Sequence, residues 1–164
     1  MIVKKNGIKI YEKTDFEGMR KAGKLAAECL DYLTPFVKVG VSTGELDDLC
    51  RDFITAHGAI PACLGYHGYP KTLCISINHV ICHGIPDYER KLADGDILNI
   101  DVTVILDGWF GDTSRMYYAG KPKLKGTRLC EVTYECLMRG IDVVRPGAHF
   151  GDIGAVIEEY AHKY

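Results

Sequence analysis

No apolar run in the 164 residues approaches the roughly 20 that a membrane-spanning helix needs. The N-terminal MIVKKNGIKIYEK carries lysines but no apolar stretch behind them, so it does not read as a secretory signal peptide. Neither sign of charge dominates. Twenty Lys and Arg stand against 22 Asp and Glu, a net charge of -2, which offers no electrostatic footprint for nucleic acid or an anionic membrane. None of the seven cysteines (Cys29, Cys50, Cys63, Cys74, Cys82, Cys130, Cys136) belongs to a CxxC pair, and an odd number without a signal peptide points to reduced thiols. Most are expected to be small buried hydrophobes. Cys74, His79, Cys82 and His83 contain enough soft ligands for zinc, but their spacing matches no finger or ribbon. P-loop, GxGxxG, HExxH and GxSxG motifs are all absent, which removes support for nucleotide and serine-hydrolase chemistry. These absences predict a soluble, cytoplasmic chain.

What is present is the composition of a globular protein: 47% hydrophobic and 26% charged residues, in a length suited to one domain. Thr14-Asp15-Phe16-Glu17 reads as a capping box opening an amphipathic helix, with Phe16, Met19, Ala22, Ala26, Leu30 and Leu33 as its stripe and Pro35 as its stop. Ser42-Thr43-Gly44-Glu45 is a second capping box, followed by Leu46, Leu49, Phe53 and Ala56, with Gly58 just past the end. Turns and short apolar runs alternate from Ile60 to Ile85, and helical spacing returns over 127–144 and 150–164.

A shift of 107 residues brings Glu28-Cys29-Leu30 onto Glu135-Cys136-Leu137, Gly40 onto Gly147 and Gly44 onto Gly151. Leu46, Leu49, Asp52 and Phe53 then meet Ile153, Val156, Glu159 and Tyr160, all without a gap. A register kept across two helices and the turn between them predicts a duplicated unit. The first copy continues through about sixty residues of β structure that the second lacks, so the chain reads as unfinished.

The chemistry concentrates in that β segment. Asp107-Gly108 separates two β-rich runs, and a type I′ turn requires positive φ at both central residues. Pairing outward from this turn sets Leu106 opposite Trp109, Thr103 opposite Asp112 and Asp101 opposite Ser114. Alternation gives Ile100, Val102, Val104 and Leu106 one face, and Asn99, Asp101, Thr103, Asp112 and Ser114 the other. Asp101 and Asp112 become diagonal neighbours, with Cα atoms on the order of 7–8 Å apart. Two such carboxylates repel unless a cation lies between them, and hard oxygen donors on a rigid hairpin make half of a divalent metal site. Nearby, His83 sits in a Gly/Pro turn as a candidate hydrogen-bond donor to a reacting amide. Cys63-Leu64-Gly65-Tyr66-His67-Gly68-Tyr69-Pro70 reads either as a pocket wall with polar tips or as a loop packed by its tyrosines.

The strings CLGYHGYPKTLCISINHVICHGIPD and DGDILNIDVTVILDGWFGDTSRMYYAGKP closely resemble type I methionine aminopeptidases of the short bacterial kind. The resemblance implies an α+β pita-bread fold (creatinase/aminopeptidase type), its first half complete and its second only begun. Residues 1–164 then form one catalytic domain, with a first αβ repeat over about 14–120 and the start of a second over about 121–164. It implies a metal-dependent hydrolase that removes the initiator methionine from nascent polypeptides, at the ribosome, as a monomer with no nucleic-acid specificity and no membrane. Position by position, Asp101 and Asp112 match metal ligands, and His83 matches a histidine that contacts the substrate amide. Cys63, Tyr66, Tyr69 and Cys74 match the walls of the methionine pocket. Asn78 and Val80 match positions whose carbonyls hold a monovalent cation, while His79 departs from the acidic residue common between them. The implied cofactors are two divalent ions: cobalt, manganese or iron. The remaining ligands so implied, a histidine in a GHGIG-like loop and two glutamates, have no counterpart here. Two other readings stay open: a non-catalytic peptide- or protein-binding module on the same scaffold, and an X-Pro peptidase.

Overall fold

The computed structural model describes residues 7–164 and the backbone of Ile2 and Val3; Met1 and Lys4–Asn6, in the basic N-terminal stretch, lie outside the described residues. The chain divides into two compact units, Met1–Lys121 and Pro122–Tyr164.

In the first unit a two-stranded antiparallel pair, β1 (Ile2–Val3) with β2 (Lys9–Ile10), precedes helix α1 (Lys13–Leu33). The cap of α1 corrects the expectation from Thr14 and Glu17. Glu12 is the extended N-cap residue, and the Asp15 carboxylate accepts its backbone N–H at 2.9 Å. Thr14 already lies inside the first turn, so its hydroxyl is in the wrong place to cap. Ala22, Leu25, Ala26, Cys29, Leu30 and Leu33 are buried, whereas Phe16 and Met19, expected in the stripe, are exposed. Pro35 ends the helix as expected, in a short 3₁₀ turn over Thr34–Phe36.

Helix α2 (Thr43–Ala56) opens on the Ser42–Glu45 box: Glu45 N–H donates to Ser42 Oγ at 3.2 Å, and Ser42 N–H donates to Glu45 Oε2 at 2.8 Å. Gly58, at φ +71°, follows its end. Leu46, Cys50 and Ile54 are buried, Leu49 and Phe53 pack partly against them, and Ala56, expected in the stripe, is exposed.

The sheet is wholly antiparallel. Strand β6 (Trp109–Ala119) pairs with all of β5 (Asp96–Leu106), while β4 (Cys74–Ile77) and β3 (Ile60–Pro61) pair with separate stretches of β5, at Leu98–Asp101 and Val104–Ile105. The hairpin register is the expected one, Leu106 to Trp109, Thr103 to Asp112 and Asp101 to Ser114. Asp107 and Gly108 both have positive φ, at 51° and 81°, which gives the turn the twist the strands need. Leu98, Ile100, Val102 and Val104 are fully buried with Leu30, Leu33, Leu46 and Ile54, each such side chain contributing about 1.5–3 kcal/mol. Helix α1 lies on this core face so closely that a Cβ on Gly111 would collide with the Ala22 carbonyl.

The second unit is a helical hairpin, α3 (Leu124–Asp142) and α4 (Phe150–Ala161), starting three residues earlier at α3 than the spacing predicts. It repeats the α1–α2 hairpin in detail. Gly40 and Gly147 have φ of +92° and +90°. The Ser42–Glu45 box recurs as His149–Asp152, with His149 N–H donating to Asp152 Oδ2 at 2.9 Å. Cys29 Sγ lies 3.5 Å from Cys50 Sγ, and at the equivalent place Cys136 Sγ lies 3.8 Å from the Ile157 carbonyl. Among the described residues no helix is long and apolar enough to cross a membrane.

Candidate functional site

The face of the sheet away from α1 is set by strand parity. It carries Asn99, Asp101 and Thr103 on β5, Phe110, Asp112 and Ser114 on β6, and Cys74 and Ser76 on β4. Asn99 donates to Ser114 Oγ at 3.3 Å across the ladder. Above this face opens a cleft of about 850 Å³, whose walls include Cys63, Tyr66, Tyr69, Cys74, His83, Asp101 and Asp112. All seven cleft residues expected from the sequence therefore meet in one place. Smaller cavities in the second unit, of about 130 and 260 Å³, contain none of them.

The electrostatics follow from burial. Partial burial pushes the Asp101 carboxyl above its ordinary pKa, the charge of Asp112 pushes the same way, and His83 opposes both. Burial also raises the Cys63 thiol, against a hydrogen bond with Thr103, and the Cys74 thiol, against one with Tyr69. An upward shift favours the protonated thiol at neutral pH and lowers its nucleophilicity. The Tyr69 hydroxyl, itself raised by burial, faces Leu73 O at 3.0 Å and Gly84 O at 3.3 Å. His83 adopts a left-handed conformation, φ +56°, and Gly84 after it packs on β4 with no room for a Cβ against the Ile75 carbonyl.

Asn78 and Val80 lie outside the cleft lining. The Asn78 side chain is engaged by Asp96 Oδ1 at 2.7 Å and by the Ile97 N–H at 3.1 Å, and Val80 N–H donates to Ile77 O at 3.1 Å. The cleft also contains residues that sequence reasoning did not single out for it. Thr103 and Phe110 reach it by strand parity from Asp101 and Asp112, a signal already present in the hairpin pattern. His67, at φ +47°, comes from a 3₁₀ turn (Tyr66–Gly68) whose shape the loop composition did not disclose.

Residues 17–164 match the metallopeptidase family M24. The chain belongs to that family. Over 157 residues it is 61% identical to the methionine aminopeptidase of Rickettsia prowazekii, an alignment covering 96% of this chain and 60% of that protein. The crystal structure of methionine aminopeptidase from Rickettsia prowazekii matches with a TM-score of 0.93 and 62% identity, over 95% of this chain and 62% of that one. An Xaa-Pro dipeptidase from Bacillus anthracis matches with a TM-score of 0.82 at 18% identity, over 94% of this chain and 42% of that one, a likeness of fold alone. The M24 chain described here spans about 60% of the length of the methionine aminopeptidase it matches. Its mixed helix-and-sheet structure is that of the pita-bread fold shared by these neighbours.

Membership of a metallopeptidase family implies divalent metal cofactors. The donor set of the cleft is chemically suited to one, since Asp101 and Asp112 are hard oxygen donors whose mutual repulsion a cation would relieve. Among the described residues, however, no group of three or more His, Cys, Asp or Glu is arranged to hold a metal ion.

Proposed function

We propose that this chain carries the substrate pocket and two of the metal ligands of a metal-dependent aminopeptidase that removes N-terminal methionine from nascent polypeptides. The observation that carries the reading is the convergence of Asp101, Asp112 and His83 with a thiol- and tyrosine-lined wall in one cleft. In this reading Asp101 and Asp112 hold divalent ions, which when bound polarise the scissile carbonyl and lower the pKa of water. His83 donates a hydrogen bond to the substrate amide and orients it. Cys63, Cys74, Tyr66 and Tyr69 receive the methionine side chain, whose thioether gains about 0.3–1.5 kcal/mol from each sulfur–aromatic contact. The protonated state of the two thiols suits them to this apolar duty. Asn78 and Val80 offer carbonyls for a monovalent cation outside the cleft. The ions are manganese, cobalt or iron, and the protein acts as a cytoplasmic monomer on chain ends emerging from the ribosome. An X-Pro peptidase is the weaker reading, because identity to an Xaa-Pro dipeptidase is 18% against 61% to a methionine aminopeptidase.

The test is methionine release from a Met-Ala-Ser peptide with Mn²⁺ or Co²⁺ supplied, alongside a chelated control. Release is expected to need the metal and to be abolished by Asp112→Asn without unfolding. Full activity in a folded Asp112→Asn protein overturns the metal assignment. One observation favours a binding module instead: the absence of a three-ligand group among the described residues. A folded chain that binds the peptide yet releases no methionine in either metal fits that alternative and equally an inactive portion of the enzyme, whose turnover then belongs to the complete protein.

A further inference from the structure

Asp47 belongs to α2, outside the strands that bear the cleft, and only 3% of its side chain is exposed. A carboxylate so buried is costly unless its lone pairs are engaged. Its Oδ1 accepts the Thr72 N–H at 2.8 Å and the Leu73 N–H at 3.2 Å, and its Oδ2 lies 3.8 Å from Lys71 Nζ. These three consecutive residues join the pocket loop ending at Pro70 to the start of β4 at Cys74. Leu73 passes the constraint on, because its carbonyl accepts from the Tyr69 hydroxyl at 3.0 Å, whose single proton is shared with the Gly84 carbonyl at 3.3 Å. Gly84 is tied to β4 twice: its carbonyl accepts from Ile75 N–H at 2.8 Å, and its N–H donates to Ser76 Oγ at 3.2 Å. A continuous strap of hydrogen bonds thus runs from a buried carboxylate on α2 to the turn that carries His83.

We propose that Asp47 is a positioning residue, fixing the Tyr69 wall and the His83–Gly84 turn through the Leu73 backbone and the Tyr69 hydroxyl. The purpose of that positioning rests on the aminopeptidase reading; the strap itself does not. Neither Asp47 nor Leu73 lines the cleft, so the effect on the site is transmitted, not direct.

Residue-resolved amide hydrogen exchange on the full chain tests it, with Asp47→Ala, Asp47→Asn and Tyr69→Phe beside the wild type. Losing hydrogen bonds to a charged acceptor is expected to speed exchange at Thr72 and Leu73 by about tenfold or more in Asp47→Ala. Ile75 and Gly84 are expected to accelerate with them, while Leu98 and Val102 in β5 keep their rates. Asp47→Asn, which retains an oxygen acceptor, is expected to restore most of the protection. Tyr69→Phe is expected to accelerate Ile75 and Gly84 alone. Acceleration confined to Thr72 and Leu73 would reduce Asp47 to a local anchor, and uniform acceleration including Val102 would make it a general stabiliser; either overturns the proposal. Should Asp47→Ala fail to fold, unchanged exchange at Gly84 in Tyr69→Phe overturns it alone. Affinity for Met-Ala-Ser, measured on the same samples, is expected to fall several-fold in both Asp47→Ala and Tyr69→Phe. A wild-type chain that does not bind the peptide at all defeats the aminopeptidase reading, and the exchange rates still decide the strap.

Discussion

Asp101 and Asp112 are held on one sheet face by backbone register, so neither can move to the other face without breaking the hairpin. Burial first, and then the charge of Asp112, push the Asp101 carboxyl above its ordinary pKa. The thiols beside them behave differently, because burial keeps them neutral. Iodoacetamide at neutral pH is accordingly expected to label exposed Cys82 well before Cys63 or Cys74, with labelling of the latter two rising only above the ordinary cysteine range. Peptide mapping by mass spectrometry reads the order, and rapid labelling of Cys63 at pH 7 would contradict the proposed apolar wall.

At the scale of elements, two junctions decide how the sheet and helices meet. Gly111 lets α1 settle directly on β6, and a methyl group there has the Ala22 carbonyl in its path. Gly111→Ala is expected to destabilise by about 1–3 kcal/mol or more, read as a lower urea midpoint with unchanged slope. The second junction is the start of α2. Hydrogen bonds from the Ser42 backbone and hydroxyl hold the Glu45 carboxyl below its ordinary pKa. A carboxyl depressed in the folded state contributes stability that is present above the unfolded value and lost as pH falls through the folded one. The acid limb of stability against pH is therefore expected to flatten in Glu45→Gln, while Ser42→Ala costs about 1 kcal/mol at neutral pH. An unchanged acid limb would remove Glu45 from that account.

At the scale of the whole molecule, each unit carries a helical hairpin, and the two hairpins share a sequence register, a positive-φ turn and a capping box. Gly40 and Gly147 occupy equivalent turns at nearly equal positive φ, where an L side chain is strained by about 1–2 kcal/mol. Gly40→Ala and Gly147→Ala are expected to lower stability by similar amounts, each within its own unit, as followed by amide exchange in α2 and in α4. Unequal losses would mean that the repeat is one of sequence only. The β-hairpin register and the second capping box are legible in the sequence because each depends on residues close along the chain. The first capping box was misread for a related reason: acidic residues and a threonine crowd Glu12–Glu17, and the helix starts one residue before Thr14, which lets Glu12 and Asp15 take the roles. The exposed Phe16 and Met19 were misplaced because periodicity identifies a helical face without saying how far along the helix a partner extends.

Strand alternation and turn chemistry alone put both aspartates on one polar face, since side-chain direction in a ladder follows from parity. They also put the buried Ile100, Val102 and Val104 of β5 on the other face. Only the fold could show that the Cys63–Pro70 loop and the His83 turn close over that face. It alone revealed His67 as a wall of the same cleft, and Asp47, from a helix some twenty-five residues away, as the anchor of its lining. Such contacts join segments distant in sequence, and their existence depends on how a shared core stacks helix on sheet, which no local pattern encodes.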